Sequence, residues 1–137
     1  MIPLPPVGKD KDFFPVYFKV RDQGHSFNCW GFVAKVAGWC EKFAWLDEWQ
    51  MMNLLQSNAE QITDPQEGDI VAFFCGEISI NGLTHTAFYR GDNCVLHKMG
   101  SCPLSEDSLD YAKRSYGNTI VFYRIKNLTK EQPVVVS

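Results

Sequence analysis

Three residues of this 137-residue chain have the types and the order that thiol catalysis requires: Cys29, His85 and His97. A cysteine nucleophile needs a base within hydrogen-bond reach and a further group that orients that base. His85 and His97 fall in two strand-like runs joined through the turn segment "RGDN". Hairpin pairing can therefore place their rings side by side on one face. We predict Cys29 as nucleophile, His85 as general base within hydrogen-bond reach of its sulfur, and His97 as the orienting partner.

The stretch "FNCWGFVAKVAG" predicts that Cys29 lies in the first turn of a helix. Apolar residues recur after Cys29 at the spacing of an amphipathic helix, and Asn28 is a favoured N-cap residue. The positive end of a helix should lower the pKa of a thiol placed there. The sequence thus predicts that Cys29 is alkylated selectively at mildly acidic pH. As a cap alone, Asn28 should tolerate replacement by Asp without loss of stability.

The remaining patterns predict an α+β fold in one domain spanning residues 1–137, with flexible ends at 1–12 and 128–137. A second helix is predicted over 44–56, with its apolar residues packed in the core, and a third over 105–116, capped by Ser105. The apolar residues assigned to the core side of the second helix are Trp45, Trp49, Met52 and Leu55. Antiparallel strands, several of them in a meander, are predicted over 15–20, 70–75, 84–90, 94–98 and 119–126.

Composition excludes several classes of function. The net charge is −3 and the 13 Lys and Arg are scattered, which argues against nucleic acid as a partner. The start "MIPLPPVGKDKDFF" lacks the pattern of a signal peptide and no segment is long enough to span a membrane, so we expect synthesis in the cytoplasm and no membrane partner.

Cysteine spacing favours thiols over disulfides and metal. The five cysteines are an odd number without a CxxC pair, so we expect reduced thiols. Cys94 and His97 are three residues apart in a strand and should point to opposite faces, which disfavours a zinc site. We expect no metal and no cofactor.

Four segments in order resemble the NlpC/P60 superfamily: "FNCWGFV", "EGDIVAFF", "HTAFY" and "VLHKMG". The match spans residues 17–125. The resemblance implies a papain-like α+β fold with N-terminal helices packed on a central antiparallel sheet. It also implies a cysteine peptidase or amidase that hydrolyses peptidoglycan stem peptides, at the γ-D-glutamyl to diamino-acid bond.

The same resemblance assigns roles by position. Cys29 matches the nucleophile, His85 the base and His97 the third member of the triad. Tyr17, Asn28 and Trp30 occupy positions associated with substrate binding and the oxyanion. The family usually has Asp where this chain has Asn28, and that acid is associated with gripping a free substrate amine.

Within the superfamily, "CWGFV", "VLHKMG" and the terminal "VFYRIK" look most like stand-alone members encoded with phage tails. This implies phage-tail or secretion-machinery partners and action on the cell wall after delivery in a virion or by a non-Sec route. Two alternatives stay open. One is a catalytically silent structural or binding module of a phage tail with the same fold. The other is an acyltransferase that uses the same Cys/His pair.

Overall fold

The computed structural model describes residues 27–99, 102 and 104–126, which form an α+β fold. The helices are α1 (Cys29–Ala37), α2 (Glu48–Asn58) and α3 (Leu109–Tyr116). The strands are β1 (Ala59–Ile62), β2 (Ile70–Phe74), β3 (Leu83–Gly91), β4 (Cys94–Lys98), β5 (Leu104–Ser108) and β6 (Thr119–Ile125). The predicted strand over 15–20, Tyr17 and both predicted flexible ends lie outside the described residues.

All six strands belong to one antiparallel sheet with the order β1-β6-β2-β3-β4-β5. The run β2-β3-β4 is the predicted meander, β5 extends it beyond the prediction, and β6 returns to pair with both β2 and β1. Every residue of β2 is buried, as expected for an apolar strand in the middle of a sheet. Among the described residues, no helix is both long and apolar enough to cross a membrane.

Side chains on the two faces of the sheet build two apolar clusters. The α1-side cluster contains the buried faces of α1 and α2 together with alternate strand residues such as Ile70 and Phe88. The α3-side cluster contains Leu109 and Ala112 of α3 with the intervening strand residues, such as Val71. Strand residues alternate between these faces because successive side chains point in opposite directions. The face of any strand residue can therefore be assigned from its neighbours.

Helix α1 begins where the sequence predicts. Asn28 is its N-cap and its side chain accepts the Gly31 N–H at 2.9 Å. Its end is fixed by Gly38, whose φ of 89° lies in the left-handed region that glycine adopts without strain. The predicted helical boundary before Cys29 is confirmed.

Helix α2 starts later than predicted, and this changes the environment of two tryptophans. Asp47 forms a capping box with Gln50, so the helix begins at Glu48 rather than near residue 44. Met52 and Leu55 are buried as predicted. The core assignment is wrong for Trp45 and Trp49, which are 54% and 60% exposed. Trp45 precedes the helix, and the buried face of α2 is formed by Met51, Met52 and Leu55.

The segment before α3 also differs from the prediction. Residues 104–108 form β5, and α3 begins at Leu109 with Ser108, not Ser105, as its cap. The strand arises because β4 has a second edge whose backbone groups pair with this segment, from Cys94 with Ser108 to Lys98 with Leu104. The short strand β1 was not predicted either; it directly follows α2 and pairs with β6.

Replacing Gly31 with Ala should destabilise the protein, although Ala normally stabilises a helix interior relative to Gly by about 1 kcal/mol. A Cβ atom at position 31 would overlap the carbonyl oxygen of Ala44, so the loop that crosses α1 would have to move. We expect the free energy of unfolding to fall by about 1–3 kcal/mol, measured by urea denaturation. Lys35→Ala, a half-buried position on the same helix, is the control. A gain in stability for Gly31→Ala would contradict the crossing of the loop at this point.

Candidate active site

His85 on β3 and His97 on β4 lie side by side, as the hairpin spacing predicts. The Nε2 atom of His85 is 2.8 Å from the Nδ1 atom of His97, which is a hydrogen-bond distance. Both side chains are buried. Because one ring nitrogen of each histidine is used in this contact, the other nitrogen of each is left for a further partner.

The two rings project from the face of the sheet that α3 covers. His85 pairs in register with Phe73, and its ring stacks on Tyr116 of α3 with a centroid distance of 3.7 Å and an interplanar angle of 7°. Burial raises the pKa of Tyr116 to about 12, so the phenol is neutral near pH 7. Tyr116 thus fixes the plane of the His85 ring.

Asp107 contacts the ring nitrogen of His97 that faces away from His85. This residue was not identified from the sequence. Its Oδ2 atom lies 2.8 Å from Nε2 of His97 and accepts a hydrogen bond from the Ser105 hydroxyl at 2.9 Å. Both residues belong to β5, where positions 105 and 107 share a face with His97. The alternation in "SEDS" was the available signal, but it was assigned to the first turn of a helix.

Burial lowers the pKa of both histidines, but a neighbouring carboxylate opposes this shift only at His97. Desolvation lowers the pKa of His85 well below its ordinary value, and the charge of a protonated His97 would lower it further. Desolvation also lowers the pKa of His97, but the hydrogen bond and negative charge of Asp107 oppose the shift. His85 is therefore an unprotonated base at neutral pH.

Cys29 begins helix α1, which packs against strands β3 and β4. The β3–β4 ladder runs from the Phe88–Leu96 pair to Gly91–Cys94, so the segments carrying His85 and His97 lie beyond its end. There the Thr86 hydroxyl donates to the Cys29 carbonyl at 3.5 Å. The end of the ladder brings the first turn of α1 next to the residue that follows His85.

Cys29 and His85 share no hydrogen bond among the described residues, where the Nδ1 atom of His85 is buried without a partner. The prediction that the sulfur lies within reach of His85 stays a prediction. Catalytic hydrogen bonds of free enzymes are often long and tighten only when substrate is bound.

The predicted pKa shift of Cys29 is wrong in sign. Burial raises the pKa of the thiol to about 11, while backbone N–H groups of Thr86, Trp30 and Cys29 and the charge of Lys98 oppose the shift. The helix start supplies the N–H groups that the sequence indicated, but the loss of water around the sulfur outweighs them. In the free protein Cys29 is a thiol and His85 a neutral imidazole.

Alkylation should reveal this protonation state. With Cys29 as a buried thiol of pKa about 11, iodoacetamide at pH 6 should label the exposed Cys75 and Cys102 before Cys29. The rate at Cys29 should rise with pH until close to pH 11, since the thiolate fraction increases toward that value. Peptide mass mapping after timed labelling measures each site. Selective labelling of Cys29 at pH 6 would instead mean a thiolate in the free protein.

Asn28 is more than a helix cap. Its Oδ1 atom accepts from Gly31 N–H at 2.9 Å and Leu46 N–H at 3.3 Å, and its Nδ2 donates to the Leu46 carbonyl at 2.9 Å. The buried amide therefore ties the start of α1 to the loop before α2. Trp30, the neighbouring predicted site residue, packs against the α1-side cluster, and its buried Nε1 atom has no partner among the described residues.

Asn28→Asp should therefore lower stability, in contrast to the prediction from capping alone. A carboxylate cannot donate to the Leu46 carbonyl and would face it with a second oxygen, so we expect a loss of about 1–3 kcal/mol in urea denaturation. The new charge should also raise the pKa of the Cys29 thiol further. Asp47→Asn is the matched control, since Asp47 uses only acceptor atoms in its cap and should change stability by less than about 0.5 kcal/mol. Equal stability losses in the two variants would contradict the role of the Asn28 side chain in linking the start of α1 to the loop before α2.

Other residues of the described segments add no metal site: no group of three or more His, Cys, Asp or Glu side chains is arranged to hold a metal ion there. All five cysteines are free, and Cys94 donates to the Asp92 carbonyl. No protein-family profile matches the sequence, and no curated protein matches it. The assignment of function consequently depends on the local geometry.

Proposed function

We propose that this chain is a cysteine peptidase or amidase that hydrolyses peptidoglycan stem peptides at the γ-D-glutamyl to diamino-acid bond, as an NlpC/P60-type enzyme with a papain-like fold. The observation that carries the proposal is the buried His85–His97 pair beside a helix that begins at Cys29. The four ordered segments described above supply the substrate class and the association with a phage tail or secretion machinery.

The chemistry follows from the atoms that each residue leaves available. His85 uses Nε2 toward His97, so Nδ1 is the nitrogen that can take the thiol proton as the sulfur attacks the carbonyl carbon. The Cys29 backbone N–H at the helix start is an oxyanion donor. The protonated His85 then gives its proton to the leaving amine, and water hydrolyses the thioester with His85 again as base.

The raised pKa of Cys29 and the lowered pKa of His85 define the resting state as thiol plus imidazole. Proton transfer then accompanies nucleophilic attack, as in a serine hydrolase, and no ion pair exists beforehand. Substrate that displaces water from the site and aligns the two side chains is needed for turnover.

A cavity with cationic side chains shares one wall residue, Tyr116, with the surroundings of His85, and its lining does not include Cys29, His85 or His97. Tyr116, which stacks on His85, lines this cavity of about 750 Å³ together with Lys113 and Arg114. Stem peptides carry free carboxylates, and two cationic side chains at the wall of the cavity are complementary to them.

One observation favours the alternative of a catalytically silent module of a phage tail. Cys29 is buried and shares no hydrogen bond with His85 among the described residues. A packed cysteine that never meets the base would look the same. The silent module and the peptidase differ in turnover, which a direct assay measures.

The test is hydrolysis of purified muropeptides in H₂¹⁸O, with products identified by mass spectrometry. A peptidase should release the diamino-acid fragment and incorporate one ¹⁸O atom into the new γ-carboxyl group. Transfer of the acyl group to an added amine without ¹⁸O uptake would identify the acyltransferase instead. Intact substrate after prolonged incubation at high enzyme concentration would favour the silent module.

A further inference from the structure

We propose that Asp107, held by Ser105, is a positioning residue that fixes the protonation pattern of both histidines and so presents the basic Nδ1 of His85 to the thiol. This inference deepens the proposed function and rests on it. Asp107 never contacts the reacting atoms; it acts through His97.

The first step is the hydrogen bond between Asp107 and His97. An ionised carboxylate only accepts hydrogen bonds, so the Nε2 atom of His97, 2.8 Å from Oδ2, carries the proton. The Nδ1 atom of a neutral His97 is then an acceptor. The carboxylate thus selects one of the two imidazole tautomers.

The second step is the hydrogen bond between the two histidines, through which the tautomer of His97 determines the tautomer of His85. Nδ1 of His97 lies 2.8 Å from Nε2 of His85, and as an acceptor it requires the proton on that Nε2. The lone pair of His85 is therefore on Nδ1, which is buried and without a partner among the described residues. With the opposite tautomers, Nδ1 of His85 would carry a hydrogen and could not take the thiol proton.

Strand pairing holds Asp107 in place. Val95 pairs with Asp107 and His97 with Ser105 across the β4–β5 ladder, so His97, Ser105 and Asp107 share the α3 face. The Ser105 hydroxyl donates to the same Oδ2 atom at 2.9 Å and restricts the carboxylate rotamer. The position of the acid is consequently fixed by backbone register and by a second hydrogen bond.

Other titratable groups surround the network. They are Cys29 and Cys102, which act electrostatically on Tyr116 and Lys98, and Tyr111, which acts on Tyr116. Tyr116 and Cys29 are neutral near pH 7, with pKa values of about 12 and 11 that result from burial. Asp107 is the charged group in direct contact with the histidine pair.

Removing that charge should shift the pH dependence of catalysis in a defined direction. Asp107 raises the pKa of His97 against desolvation, so Asp107→Asn should lower the pKa of the histidine pair. The acid limb of kcat/KM should move to lower pH, and kcat should fall by at least about tenfold with little change in KM. Asp110→Asn, which removes an exposed acid from the first turn of α3, is the control for net charge. Asp107→Glu should restore part of the rate.

The decisive measurement is two-dimensional ¹H–¹⁵N NMR of the imidazole nitrogens, which reports tautomers whether or not the protein turns over substrate. We expect both His85 and His97 to be protonated at Nε2 in the parent, and this pattern to be lost or mixed in Asp107→Asn and Asp107→Ala. A parent with the proton on Nδ1 of His85, or variants with an unchanged pattern and acid limb, would overturn the inference. A parent with the expected tautomers but no muropeptide hydrolysis would refute the proposed function alone.

Discussion

Replacing Cys29 with Ala should reduce kcat/KM for muropeptide hydrolysis by at least about 10³-fold, because the substitution removes the only atom that forms the thioester. The change deletes one sulfur at the first turn of α1, where the N-cap interactions belong to Asn28 and remain. The free energy of unfolding should therefore change far less than the activity. Initial rates of product release and urea denaturation, measured on the same preparations, separate the two effects.

Cys40→Ala is the matched control for this experiment. Cys40 is a half-buried free thiol after the end of α1, and its removal should leave kcat/KM within about twofold of the parent. Cys29→Ser should retain the fold and lose nearly as much activity as Cys29→Ala. If Cys29→Ala kept more than a tenth of the parental activity, Cys29 would be a packing residue and not the nucleophile.

Replacing His85 with Ala should lower kcat by about 10²–10⁴-fold, the usual contribution of a general acid–base. Replacing His97 should lower it less, since His97 orients the base and does not receive the thiol proton. Both rings are buried, so Ala at either position also leaves polar partners unsatisfied and costs stability. His97→Gln, which keeps an acceptor oxygen, distinguishes loss of orientation from loss of folding.

The informative result is which of the two histidine replacements lowers kcat more. Rates for His85→Ala, His97→Ala and His97→Gln should be compared at a pH where the parent is maximally active, after circular dichroism has verified folding. A greater loss for His97 than for His85 would contradict the assignment of His85 as the base. The histidines would then exchange roles, and Asp107 would contact the base itself.

The sequence predicted the histidine pair because its geometry is local. Two strands joined by a tight turn have few possible registers, and residues placed symmetrically about the turn meet across the hairpin. The positive φ angles of Asp92 and Asn93 are the conformations that such a turn requires. The cap at Asn28 was predictable for the same reason, since its main partner is three residues away.

Features that depend on tertiary packing were not predictable. The sign of the pKa shift at Cys29 depends on how deeply the sheet buries the sulfur, and no local pattern encodes that depth. Asp107 was missed because the segment 104–108 is a polar strand that exists only through its pairing with β4. Trp45 and Trp49 show that an apolar stripe does not specify which of its residues face the core.

The position of β2 between β3 and β6 has a consequence for how the chain is made. During synthesis β3 emerges soon after β2, but β6 begins 119 − 74 = 45 residues after β2 ends. At a synthesis rate of about 5–20 residues per second, the apolar segment "IVAFF" keeps one unpaired edge for roughly 2–10 seconds. A nascent chain stalled or truncated before residue 119 would expose that edge to other chains. The length of this exposure is thus set by when β6 emerges and not by the segments that carry the site.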